Sequence, residues 1–217
     1  MATSAAAAGG TRRLRADAAR NRQRLIDAAA EVFAARGLDA TLDDIARHAG
    51  VNVATAYRHF ANKHELAHEF LAQCVDRAVA IADEAAAEPD PWIGLTRFLE
   101  QSLEMITSNR ALLDVLKRAY GAEHFAEMLR RSMAPLEQLL DRGRAAGVVR
   151  ADFAVTDLPP VLEMLSSVTG QGQPGLPHRY IGLVLAGLRP SSEPLPGEPV
   201  TQERLIEIVA AKGRSLT

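Results

Sequence analysis

The chain is poor in several things that would have named a class outright. It has one cysteine, Cys74, in 217 residues. That rules out an internal disulfide and a cysteine-built metal site, and it favours a reducing compartment. Only 5% of the residues are aromatic, with a single tryptophan. No apolar run approaches the roughly 18 residues of a membrane span; the longest, Ile181–Leu188, is far too short. Met1–Gly10 is alanine-rich but has no basic stretch followed by an apolar core, so no signal peptide is expected. These absences predict a soluble cytoplasmic protein that does not engage membranes. Nor is there a basic excess: 25 Lys and Arg face 27 Asp and Glu, a net charge of −2. Taken whole, that argues against a nucleic-acid partner, which usually calls for a basic surface.

The charge is unevenly spread. Residues 1–63 hold ten basic and six acidic side chains, and residues 64–217 fifteen and twenty-one, so +4 at one end is averaged with −6 in the remainder. Arg12, Arg13, Arg15, Arg20, Arg22 and Arg24 crowd into the start with one acid, Asp17, among them. A basic block at the end of an acidic chain suits a polyanion, although a solvated tail has the same composition.

Hydrophobic spacing is helical throughout, with no convincing period-2 strand and no internal repeat. Leu25, Ile26, Ala29, Val32 and Phe33 share one face of a first helix, which Gly37 ends. Thr41 followed by Asp44 is a capping-box variant opening a short helix with Leu42, Ile45, Ala46 and Ala49 inside. Gly50-Val51 makes a tight turn into a second short helix, about 53–60, and Asn62 caps a long helix reaching roughly Ala87. Further helices are predicted about Trp92–Ile106, a segment around Leu112–Leu116, Ala122–Ala146 (kinked or divided at Pro135), 155–169 and 177–188, with a short one near 201–212. The fold class is all-α: an N-terminal three-helix helix-turn-helix domain followed by a helical-bundle ligand-binding and dimerisation domain. The expected divisions are a flexible basic arm at 1–19, a DNA-binding domain at 20–65, a regulatory and dimerisation domain at 66–190, and a Pro-rich linker and tail at 191–217.

The two short helices carry the function. A recognition helix must be slim on its outer face to enter a major groove about 12 Å wide. Asn52, Val53, Ala54, Thr55 and Arg58 supply such a face, braced by the small residues of the helix before it. The run Thr41-Leu-Asp-Asp-Ile-Ala-Arg-His-Ala-Gly-Val-Asn-Val-Ala-Thr-Ala-Tyr-Arg-His-Phe-Ala-Asn-Lys63-His-Glu-Leu66, with Leu25–Ala29 and Phe33–Gly37 ahead of it, resembles the TetR family of transcriptional regulators over about residues 20–70. The resemblance implies a homodimeric regulator, usually a repressor, that binds a palindromic double-stranded DNA operator and is released by a small-molecule effector. It also implies roles for individual residues: Thr41, Tyr57, His59 and Lys63 on DNA phosphates, and Asn52, Val53, Ala54, Thr55 and Arg58 in the groove. Asn52 and Ala54 depart from the commoner family pattern, so the operator sequence does not transfer.

Competing motifs are weaker. Gly170-Gln-Gly172-Gln-Pro-Gly175 satisfies the letters of a dinucleotide loop but lacks the preceding strand that loop requires. His64 and His68 stand one helical turn apart without a further ligand pattern, so no metal is expected. No nucleophile elbow or catalytic carboxylate pair is recognisable, and the chain is read as neither an enzyme nor cofactor-dependent. A helical protein without DNA function, or an all-α enzyme using an interior group such as His124, are the rival readings, and activation is an alternative to repression. An effector pocket would be mostly apolar; its candidates are Trp92, Phe98, Met105, Leu113, Leu116, Phe125, Met128, Leu162 and Met164, which also fit plain core. This composition points to a hydrophobic effector. The two last apolar helices, about 155–169 and 177–188, with Ser166, Ser167, Gly182, Ala186 and Gly187 among them, are the expected homodimer interface.

Overall fold

The computed structural model describes the backbone of residues 3–108, 110–169 and 175–214, and the side chains of 16–108, 113, 120, 122–168, 175–208 and 211. Side chains of Arg12, Arg13, Arg15 and Leu116, and most of the Gly170–Gly175 motif, lie outside the described residues. The described elements are helices and 3-10 turns, with no strand among them. They form two compact units, residues 1–71 and 72–217.

In the first unit α1 (Thr3–Arg36) buries Leu25, Ile26, Ala29 and Phe33. It begins at Thr3, well ahead of the boundary expected near residue 20, because the Ala and Arg of this stretch are strong helix formers and no proline interrupts them. Gly37 leaves the helix at φ +64°, followed by a 3-10 turn (Gly37–Asp39). Helix α2 (Leu42–Ala49) opens on the Thr41 capping box: the Asp44 N–H donates to Thr41 Oγ1 at 3.1 Å and the Thr41 N–H to Asp44 Oδ2 at 3.0 Å. Gly50, at φ +61°, turns the chain into α3 (Val53–His59). The positive φ selects glycine there; a Cβ would stand 3.2 Å from Arg24 Nη2, the end of a flexible side chain that can shift by the few tenths of an ångström needed. The fourth helix, α4 (Lys63–Ala87), is capped by Asn62, whose Oδ1 accepts from the His64 and Glu65 N–H groups.

The second unit continues α4 and adds α5 (Pro91–Ser108), α6 (Arg110–Ala145), α7 (Leu158–Thr169), α8 (Leu176–Gly187) and α9 (Gln202–Arg214). Ile81, Leu95, Leu99, Leu103, Leu136, Leu139, Leu140 and Phe153 are central in its core. Gly94 lets α5 cross α4 closely, since a Cβ there would lie 2.6 Å from the Ala85 carbonyl oxygen. Arg142 donates to the Ala86 and Glu88 carbonyls at 2.7 and 2.9 Å, satisfying the end of α4. Two sequence expectations are corrected. The segments around 112–116 and 122–146 form one helix, and Pro135 does not divide it: a proline removes a single backbone donor, and α6 continues on the packing of Leu136, Leu139 and Leu140. The predicted 155–169 helix starts at Leu158, after a 3-10 turn at Val155–Asp157, which leaves Pro159 and Pro160 in its first turn. The short helix expected near 201–212 is present as α9, which packs on α6 and buries Leu205. The Pro-rich segment before it is pinned by Arg150, which donates to Asp152, the Gly187 carbonyl and the Glu193 carbonyl, while Asp152 accepts from the Leu195 N–H.

Candidate nucleic-acid interface

Helix α3 is held from below and open above. Ala56 is fully buried and Phe60 nearly so, whereas Asn52, Ala54, Tyr57 and Arg58 are exposed and Val53, Thr55 and His59 are half-buried. The nine expected DNA-contacting residues thus fall within one unit on α2, α3 and the start of α4. The geometry gives three of them second duties. Thr41 is the N-cap of α2. Asn52 is the N-cap of α3: its Oδ1 accepts the Ala54 N–H at 2.9 Å, which leaves its amide N–H groups free of this capping duty. Lys63 Nζ donates to the Leu38 carbonyl, tying the start of α4 to the turn after α1. Arg58 Nη2 donates to Thr55 Oγ1 at 2.9 Å, so these two groove-facing side chains act as a unit.

The surrounding charges are organised. The Asp44 carboxyl accepts from the Thr41 hydroxyl and lies 3.1 Å from Arg36 and 3.0 Å from Arg47. Thr41's hydroxyl, its N–H and Arg36 hold that carboxyl well below the usual range. The nearby Asp43 carboxylate raises the Tyr57 phenol pKa, because ionising the phenol would place a second negative charge beside it. Arg22 belongs to the interior brace and not to a free basic run. Its guanidinium stands 4.9 Å over the Phe60 ring and donates to Glu69 at 2.7 Å, which raises its pKa. Arg20 pairs with Asp17. Asp43 and Arg22 were missed as site residues. A surplus acid beside a capping-box acid is a signal for the first, while the second depends on a partner 47 residues away, beyond local pattern reading.

In the second unit, Phe98 and Leu113 are buried, and Trp92, Met105 and Leu162 are half-buried against the core. Phe125 and Met128 are half-buried on α6. Met164 is 55% exposed on α7. Burial pushes the Cys74 thiol up to about 11, so it stays protonated and poorly nucleophilic at neutral pH. His64 and His68 are both exposed on α4. No described helix is long and apolar enough to cross a membrane.

A capped two-helix unit with a tight glycine turn and an open, slim second helix defines a helix-turn-helix DNA-binding protein. Residues 25–70 match the family description "Bacterial regulatory proteins, tetR family", and residues 90–190 match "Transcriptional regulator SbtR-like, C-terminal domain". The chain is 33% identical to a TetR transcription regulatory protein from Mycobacterium vanbaalenii, with TM-score 0.61 over 81% of this chain and 99% of that one. It is 29% identical to the TetR transcriptional regulator SCO0520 of Streptomyces coelicolor, with TM-score 0.61 over 79% and 99% of the two chains. A 62-residue stretch is 53% identical to the uncharacterized HTH-type transcriptional regulator TtgW of Pseudomonas putida, covering 28% of this chain and 46% of that relative. The chain belongs to the TetR family: it is a DNA-binding transcriptional regulator, of a family whose members are not enzymes.

Proposed function

We propose that the chain is a cytoplasmic repressor that binds a palindromic operator as a homodimer and is released by a small, hydrophobic effector. The observation that carries this reading is the exposed α3 face, small at Ala54 and polar at Asn52 and Arg58, above a fully buried Ala56. In this reading Thr41, Tyr57, His59 and Lys63 hold phosphates, which fixes register. Asn52, Val53, Ala54, Thr55 and Arg58 read base edges, through the Arg58 guanidinium, the Asn52 amide and thymine-methyl contacts. The DNA-binding domain spans 20–65 and the regulatory domain 66–190, with 1–19 as an arm.

Dimerisation through α7 and α8 is supported by two large apolar side chains on those helices, Met164 and Leu183, exposed by 55% and 59%. A symmetric pairing places two recognition helices about 34–36 Å apart, one turn of DNA. The effector sits among Trp92, Met105, Phe125, Met128 and Leu162, the half-buried apolar candidates of the second unit, and favours a dimer with a different spacing.

The test is selection of bound sequences from a random duplex pool. Wild type selects a two-fold symmetric site, and Arg58→Ala relaxes the preference at one position of each half-site. A pool that stays unenriched, or an Arg58→Ala profile identical to wild type, contradicts the reading.

A further inference from the structure

Among the described residues of the first unit, every arginine but one has its guanidinium engaged. Arg20 pairs with Asp17, Arg22 with Glu69, Arg36 and Arg47 with Asp44, and Arg58 donates to Thr55. Arg24 has no hydrogen bond or ion pair among the described residues. Its side chain is exposed, yet its place is defined. A Cβ on Gly50 would stand 3.2 Å from Arg24 Nη2, so the guanidinium lies against the turn between α2 and α3. Gly50 is itself exposed, and Asn52, the first groove-facing residue, follows it by two.

The acids on this side of α1 are engaged elsewhere. Asp27, one helical turn along, accepts from Gln23 at 2.9 Å. Glu31, two turns along, pairs with His48 of α2 at 2.7 Å, so this face of α1 runs beside the end of α2. Leu25 and Ile26, next to Arg24, are buried and fix its backbone. What stands at the turn is therefore a positive charge without a neutralising partner, on a rigid base. Its planar fork of N–H donors matches the oxygens of a phosphodiester.

We infer that Arg24 is a DNA-backbone residue, whose guanidinium at the α2–α3 turn takes a phosphate and extends the clamp of the recognition unit onto α1. The inference rests on the reading of α3 as the helix that enters the groove. Thr41 and the turn bracket α2, which has 8 residues and so a length of about 12 Å. A phosphate held at each end would fix the tilt of α2, and with it the entry angle of α3. Such a contact carries no base information, so it serves every DNA sequence alike.

The test is fluorescence anisotropy of a short mixed-sequence duplex with the full chain across a salt series. Arg24→Gln keeps the length and polarity and removes the charge. It binds about three- to tenfold more weakly at moderate salt, and its slope of log K against log salt is shallower by about 0.9. Arg24→Lys keeps the wild-type slope. Melting temperature is unchanged in Arg24→Gln, because the guanidinium makes no hydrogen bond in the free chain, and the sequence selected from a random pool is the wild-type one. A wild-type salt slope in Arg24→Gln overturns the inference; if its melting temperature also falls, Arg24 is a brace of the turn and not a DNA contact. Lys63→Ala run alongside separates this inference from the reading beneath it. If Lys63→Ala flattens the slope and Arg24→Gln does not, Arg24 alone loses its role. If neither flattens it, the phosphate-facing reading of the whole unit falls as well.

Discussion

The Lys63 ammonium donates to the carbonyl oxygen of Leu38, so the first residue of α4 is fastened to the turn that ends α1. One of its three N–H groups is spent inside the domain, and two are left for a phosphate at the helix N-terminus. Lys63→Ala therefore has two consequences. Affinity falls on all duplexes alike, and the slope of log K against log salt becomes shallower by about 0.9. Domain stability also falls by about 1 kcal/mol, the middle of the range for an ordinary hydrogen bond, since solvent screens the half-buried ammonium. Anisotropy at several salt concentrations and urea midpoints measure the two effects; an unchanged salt slope would remove Lys63 from the phosphate contacts.

Gly50 has a backbone angle that L-residues adopt only at a cost, and a Cβ there would stand 3.2 Å from Arg24 Nη2, the end of a flexible side chain. Gly50→Ala lowers stability by about 1–2 kcal/mol. Gly50→Asn costs less, because asparagine tolerates the left-handed region. Urea unfolding at unchanged m-value compares the two, and equal losses would mean that the clash with Arg24, not the angle, sets the cost.

The helix-turn-helix was legible in the sequence because its signals are local. Thr41 and Asp44 lie three apart, Gly50 follows a short apolar pattern, and Asn62 precedes Glu65. Second duties were not legible in the same way. The Asn52 amide caps α3 as well as facing outward, and the Lys63 partner lies 25 residues back. The division of the arginine run, with Arg22 turned onto Phe60 and Glu69, needed tertiary contacts that no spacing encodes. The chain's end was legible only in part. The short terminal helix shows in the pattern of Leu205, Ile206 and Val209. The anchoring of the Pro-rich segment by Arg150 and Asp152, and the packing of α9 on α6, depend on distant partners.

Asp44 makes the first unit acid-sensitive. Its folded carboxyl lies well below the ordinary aspartate value, so it contributes stability that is fully present above about pH 4. That stability is lost as pH falls, because the unfolded chain takes up the proton before the folded one does. Asp152 is depressed in the same way in the second unit, chiefly by Arg150. Asp44→Asn lowers stability at neutral pH and flattens its decline below pH 4; thermal melts across this range check both. A decline as steep as wild type would assign the acid sensitivity elsewhere.

Met164 and Leu183 test the association surface. Replacing either with glutamate puts a charge where the proposed interface is apolar, which shifts the sedimentation coefficient of the full chain from dimer to monomer. Each variant keeps its helical circular dichroism, since both side chains are exposed within a protomer. Dimers that persist in both variants would move the interface away from α7 and α8.

The central claim is that two copies of this chain grip one DNA site through paired α3 helices. The direct measurement is sedimentation of the full chain titrated onto the duplex it selects from a random pool, repeated at rising salt. The account predicts saturation at two protomers per duplex and affinity that falls linearly on logarithmic axes as salt increases. Saturation at one protomer, or binding indifferent to salt, would contradict it.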